Sequence, residues 1–344
     1  MIRFNNDYNH GAHPAILAAI AAANDTSFGG YGLDPLCEKA TEAIKKYLDC
    51  PKAAVHYLVG GTQANFTMIA AALRPYQSVI SADTGHIHVH ETGAVENTGH
   101  KIQALPSKDG KITAEQIKEM AELYRTSDIR EHITQPKMVY ISYPTEYGTI
   151  YSLRELEAIH EICQEYGLYL YLDGARLGYG LGSSKADVTI QDIARLTDAF
   201  YIGGTKCGTL FGEAVVITNP SLNVDFRSYI KQNGAMLAKG WLLGLQFYTL
   251  FQDGLYFEIT KNAVRYALRI KEAFEAKGIP AFIESCTNQQ FFVVENSVMN
   301  KLGEKYIFEY DHKIDETHSC IRFCTSWSTK EEEITALVAD IALL

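Results

Sequence analysis

Five short, mostly apolar runs punctuate the first two-thirds of the chain: AAVHYLV (53–59), MVYISYP (138–144), LYLYLDGAR (168–176), AFYIGG (199–204) and EAVVIT (213–218). Runs of this kind, without a clean polar/apolar alternation, read as strands covered on both faces. Helical periodicity fills the gaps. DPLCEKATEAIKKYLD (34–49) offers Asp34 as N-cap and Pro35 at the first helical position, and SLRELEAIHEICQEYG (152–167) offers Ser152 as N-cap with Glu155 completing a capping box. TQANFTMIAAAL (62–73) opens a third helix directly after two glycines. Strands alternating with helices call for an α/β fold, a mostly parallel sheet with helices on both faces.

From residue 241 the texture changes. A long helical stretch (256–278) precedes short strands at QQFFVVE (289–295) and CIRFCTSW (320–327), and STKEEEITALVADIALL closes the chain as an amphipathic helix. The expected organisation is a large domain over 1–240 and a smaller α+β domain over 241–344.

Composition narrows the function. A net charge of −10 with no basic stripe argues against a nucleic-acid partner. Seven cysteines without a C-x-x-C pair read as reduced thiols in a cytoplasmic protein. The opening MIRFNNDYNHGAHP lacks the apolar stretch of a secretory signal. AILAAIAAA (15–23) is too short to cross a bilayer and is expected to form a buried Ala-rich helix.

Ligands of open α/β sheets bind beyond the carboxyl ends of the strands. Three groups fall there: Lys206 on a glycine-rich corner after AFYIGGT, Asp173 to Arg176 (DGAR) after LYLYL, and GGTQAN (60–65), whose Gly61 and Thr62 begin a helix. A lysine between buried strands must be paired or have its charge consumed. Burial favours its neutral amine, which can attack a carbonyl. A glycine turn at a helix start suits a phosphate. Pyridoxal phosphate needs all three: an amine for its carbonyl carbon, a carboxylate at its ring nitrogen and an anion site. Each feature alone has an ordinary structural explanation; their order and common position give them weight together.

GTQAN, the histidine of TGHIHVHETGA, LDGAR and GGTK, in this order and spacing, resemble the low-specificity L-threonine aldolases, in the β-eliminating-lyase group of fold-type-I pyridoxal-phosphate enzymes. YGLDP, TEYGTIYS, GEAVVI and IRFCTSW extend the resemblance over nearly the whole chain. It implies cleavage of L-threonine, L-allo-threonine and related β-hydroxy-α-amino acids to glycine and an aldehyde, with β-elimination or transamination as the alternative. It also implies a homodimer or homotetramer.

Residue by residue, the resemblance makes Lys206 and Asp173 the cofactor's anchors, with Gly61, Thr62 and Thr205 around it and His86 stacked on its ring. Arg176 and Arg322 would meet the substrate and its carboxylate; for Arg322 a structural salt bridge is the other reading. Asn6 stands where the family often has a serine. Across a subunit contact, Tyr31 would lie near the substrate and Lys239 would meet the cofactor's phosphate, with packing and a solvated surface as their plain alternatives. Glu146 occupies the place of a second histidine, leaving Glu146, His86 and a held water as candidates for the base that takes the hydroxyl proton. HIHVH (86–90) carries no supporting acid or thiol cluster for a metal, so no metal is expected at the site.

Overall fold

A computed structural model describes residues 1–344, and each of the five apolar runs is a strand in it. The chain begins with β1 (Ile2–Arg3), α1 (Pro14–Ala23) and α2 (Pro35–Leu48). β2 (Ala54–Leu58), α3 (Gly61–Ala72), β3 (Gln77–Ala82), the one-turn helices α4 (His86–Val89) and α5 (Ala94–Asn97), β4 (Lys101–Leu105) and α6 (Ala114–Thr126) follow. Next come β5 (Gln135–Ser142), α7 (Leu153–Tyr166), β6 (Tyr169–Asp173), α8 (Leu177–Leu181), α9 (Ile190–Leu196), β7 (Ala199–Gly203) and β8 (Glu213–Ile217). α10 (Phe226–Gln232), α11 (Trp241–Phe251) and α12 (Leu255–Ala276) lead to β9 (Gln289–Glu295), α13 (Asn296–Gly303), β10 (Tyr306–Ile307), β11 (Glu309–Lys313), β12 (His318–Cys324) and α14 (Glu331–Ala342).

Seven strands form the large sheet in the order β2-β8-β7-β6-β5-β3-β4. β8 runs against both neighbours, and the pairs from β7 to β4 are all parallel. The reversal follows from the linker: 204–212 is too short for a crossover, so it can only turn the chain back beside β7. Lys206 sits on that turn. Every residue of β3, β7 and β8 is buried, as strands covered on both faces require.

Two apolar cores lie on the faces of this sheet, and a third fills the C-terminal part. Burying one of their Ile, Leu or Phe side chains is worth about 1.5–3 kcal/mol, so these layers fix the strand ends at which the site is built. The third core draws on Tyr266 to Ile341 and on Phe4 from the N-terminal segment. β11-β12-β9 make a small antiparallel sheet over it, and β1 pairs with β10. The expected boundary at 240/241 falls just before α11, which packs on α1 and α2. α12 gives Tyr256, Ala263 and Val264 to the first core and Tyr266, Ile270 and Phe274 to the third.

The capping readings agree with the structure. Asp34 accepts from the N–H groups of Leu36 and Cys37, and Ser152 and Glu155 form a reciprocal box. One expectation needs correcting. The Ala-rich helix α1 buries only Ile16 in the protomer, because α11 covers one side and the rest faces outward. In HIHVH, His86–Val89 is a helical turn beginning after Gly85, so His86 and His90 share a face, their ring centroids 5.5 Å apart. No helix is long and apolar enough to cross a membrane.

Candidate active site

The carboxyl ends of β5, β6 and β7 and the start of α3 open onto a cavity of about 340 Å³. Lys206, Asp173, Arg176, His86, Glu146, Gly61, Thr62 and Thr205 all line it. A second cavity of about 630 Å³ shares Lys206, His86, Glu146, Arg176 and Tyr8, and reaches Arg322 and Gln289 on the small sheet.

Asp173 ends β6 with its carboxylate buried and heavily solvated by protein donors. Oδ2 accepts from Tyr140 Oη (2.6 Å) and Asn65 Nδ2 (3.0 Å); Oδ1 accepts from Tyr201 Oη and the Ala175 N–H (3.0 Å). Burial would raise its pKa, but the nearby His86 charge and these donors outweigh that and hold it below the usual carboxylate range. The anion is therefore stable in the interior and can fix a proton on a facing cation. Gly174 is required next to it: a Cβ there would lie 1.9 Å from the Tyr201 carbonyl oxygen.

Lys206 experiences the opposite balance. Burial and the Arg176 charge lower its pKa, against the raising influence of Asp7, Asp173 and Glu213. Its amine makes no ion pair within the protein, and Tyr179 Oη holds its carbonyl (2.5 Å), fixing the turn. The result is a positioned amine that gives up its proton more readily than an ordinary lysine. Glu213, at the start of β8, also lines this cavity; burial pushes its pKa up to about 8 despite donation from Thr205 and the Gly204 N–H.

Gly60 caps α3 without any side-chain hydrogen bond, leaving the first N–H groups of the helix directed at the cavity through Gly61 and Thr62. That is an anion seat. His86 and Glu146 are joined on the far side: Glu146 Oε1 accepts from the His86 N–H (2.9 Å) and Ser142 Oγ (2.7 Å), and its buried Oε2 has no partner. Burial raises the Glu146 pKa against the Ser142 hydrogen bond. His86 Nδ1 lies 2.8 Å from Glu91 Oε1, and Asn65 bridges Glu91 to Asp173.

Arg176 and Arg322 differ. Arg176 Nε and Nη2 are taken by Asp7 (2.7 and 3.1 Å), so only its remaining N–H groups face the cavity. Arg322 donates Nη1 to Gln289 Oε1 (3.2 Å) and Nη2 to the Asn5 carbonyl (3.1 Å), while its buried Nε has no acceptor. A buried unpaired donor beside a cavity is the mark of a missing anionic ligand.

Three expected residues lie elsewhere in the chain. Asn6 accepts from the Tyr8 N–H (3.1 Å), shaping the turn that brings Tyr8 to the cavity, but does not line it. Tyr31 is 47 % exposed and borders a separate cavity of about 160 Å³ with Arg227. Its N–H donates to the carbonyl of Ala238, next to exposed Lys239. Sequence reasoning passed over Asp7, Glu91, Asn65 and Glu213. Asn65, Glu91 and Glu213 stand within the quoted motifs, though nothing near Asn65 or Asp7 signals their partners.

The donor set fits pyridoxal phosphate. A buried amine of lowered pKa, a stable carboxylate and a helix N-terminus surround one cavity, and the orphaned Arg322 donor lies where a substrate carboxylate would sit.

Known proteins agree with this geometry. The beta-eliminating lyase family matches residues 7–326. A low-specificity L-threonine aldolase of Pseudomonas aeruginosa is 31% identical over 99% of this chain and 97% of its own, and one of Saccharomyces cerevisiae is 25% identical over 83% and 74%. A threonine aldolase structure from Leishmania major superposes with a TM-score of 0.96 at 44% identity, covering 99% of this chain and 98% of that one. A Thermus thermophilus aspartate aminotransferase mutant shares the fold, with a TM-score of 0.69 at 15% identity over 100% and 91%. The chain belongs to the beta-eliminating lyase family, on the fold-type-I architecture.

Proposed function

We propose that this protein is a pyridoxal-phosphate-dependent aldolase that cleaves L-threonine, L-allo-threonine and related β-hydroxy-α-amino acids to glycine and an aldehyde. The reading is carried by one observation: Lys206, Asp173, His86, Glu146 and the open end of α3 border a single cavity. The bound cofactor supplies an electron-withdrawing ring into which the electrons of the Cα–Cβ bond drain.

Lys206 would hold that cofactor through its amine, whose pKa burial lowers. Asp173 would keep the ring nitrogen protonated, and the start of α3 with Thr205 would hold the phosphate. Arg322 Nε and the free N–H groups of Arg176 would orient the substrate carboxylate, and that orientation would decide which bond at Cα breaks. Glu146 Oε2 would take the β-hydroxyl proton as the aldehyde leaves; burial raises its pKa and makes it a stronger base than an ordinary carboxylate. His86 covers the ring, its imidazole fixed by Glu91. Return of one proton to Cα would balance the one lost from the β-hydroxyl and give glycine.

Several features support a homo-oligomer. α1 exposes an apolar surface around Leu17 (49 % exposed), and Leu33 is 68 % exposed. Tyr31 and Lys239 sit together away from their own chain's Lys206 cavity, where a second copy could receive them. Seven free cysteines suit a reducing cytoplasm.

The test is product identification with L-allo-threonine and cofactor-loaded protein. Glycine and acetaldehyde are expected, and Lys206→Ala should abolish both. 2-Oxobutanoate with ammonia would replace the aldolase by an eliminating lyase.

A further inference from the structure

The edge of the small sheet carries a cluster that aldol cleavage does not use. β11 and β12 pair with a bulge: Tyr310 opposes Ile321, His312 opposes Cys320, and Asp311 is the extra residue between them. The extra residue breaks the strand's up-down alternation, so successive side chains can converge on the one residue they jointly face. Here the result is a compact donor set. One ligand atom each from Asp311, His312 and Cys320 lies within 4.8 Å of the others.

The parts differ in chemistry. Asp311 Oδ2 already orients His312 Nδ1 at 2.6 Å, and the edge of the Phe282 ring packs on the imidazole at a centroid distance of 4.9 Å. Cys320 is reduced and fully buried beneath them. A surface ion pair accounts for Asp311 and His312, and packing accounts for a buried thiol. Neither explains why all three donors meet. Thiolate, imidazole and a single carboxylate are the ligands of a borderline-soft transition metal, whereas Ca²⁺ and Mg²⁺ require an oxygen shell.

We propose that Asp311, His312 and Cys320 form a Zn²⁺ site with its fourth position open toward the substrate cavity. Cys320 would bind as thiolate, releasing its proton to solvent. Asp311 lines the same cavity as Arg322, His86 and Lys206. Cys320 precedes Arg322 by two residues on β12, hence on the same face and about 7 Å along the strand. A cation there would pin the bulged edge strand that walls the cavity. It would also face the polar end of a substrate side chain beyond Cβ.

The test is Zn²⁺ titration of the chelator-stripped, cofactor-loaded protein by calorimetry, with Co²⁺ as an optical probe. One Zn²⁺ per chain is expected, together with the strong visible bands of tetrahedral Co²⁺ and a thiolate charge-transfer band. Cys320→Ser should remove that band, and His312→Asn, at a partly exposed position, should weaken Zn²⁺ binding at least about tenfold. Wild-type protein that takes up no Zn²⁺ would overturn the site. So would uptake that is unchanged in both variants, because other groups would then be the ligands. Neither readout depends on aldolase activity.

Discussion

Asp7→Asn tests how the site is braced. Asp7 joins three pieces: the N-terminal segment that carries it, Arg176 at the end of β6, and Asn288 just before β9. Burial would raise its carboxyl, but the Arg176 and Lys206 charges and the Arg176 and Asn288 hydrogen bonds outweigh that and hold the pKa at about 2, against an ordinary value of 3.8. Nearly two pH units at about 1.4 kcal/mol each give the ionised group about 2.5 kcal/mol of net stabilisation at neutral pH. The asparagine variant loses this and leaves the Arg176 guanidinium buried without its counter-charge, a change that typically costs about 3–5 kcal/mol. The two figures overlap, since both count the Asp7–Arg176 attraction, so the expected loss is about 2.5–5 kcal/mol, read as a lower urea midpoint at fixed protein concentration. The sign with pH follows from a depressed carboxyl. Its stabilisation is complete above the unfolded pKa and disappears as pH falls through the folded one, so the ionisation part should shrink to roughly half by pH 3. A variant within about 0.5 kcal/mol of wild type at pH 7 would refute the reasoning. A difference that does not narrow between pH 5 and pH 3 would do the same.

Glu146→Gln keeps the hydrogen bond to the His86 N–H but cannot take a proton, so kcat should fall about 10²–10⁴-fold with KM little changed; an unchanged kcat would move the base elsewhere. Arg322→Gln removes the orphaned Nε, and KM for L-allo-threonine should rise while the absorbance of bound cofactor persists. Leu17→Asp places a charge on the exposed face of α1, and light scattering should register a smaller assembly; an unaltered mass would remove α1 from the contact.

The sequence displays what depends on near neighbours. The caps at Asp34 and Ser152, the strands 199–204 and 289–295 and the positions of Lys206 and Asp173 all rest on local pattern. Distant partners leave no such trace. Nothing around Asp7 announces Arg176, and nothing around Asn65 announces its bridge between Glu91 and Asp173. HIHVH is compatible with a strand or a loop; the structure makes it a helical turn after β3, where Glu146 binds the His86 N–H. The Ala-rich helix reads as buried because hydrophobicity reports that a surface needs covering, not which chain covers it. β11 hides for the opposite reason: its burial pattern shows no buried residue, so no apolar run marks it.

The central claim is that Lys206 carries the cofactor. Borohydride reduction of the loaded protein, followed by digestion and peptide mass analysis, tests it most directly. The account predicts one pyridoxyl-phosphate adduct per chain, on the peptide containing Lys206. An adduct on any other lysine, with Lys206 unmodified, would contradict it.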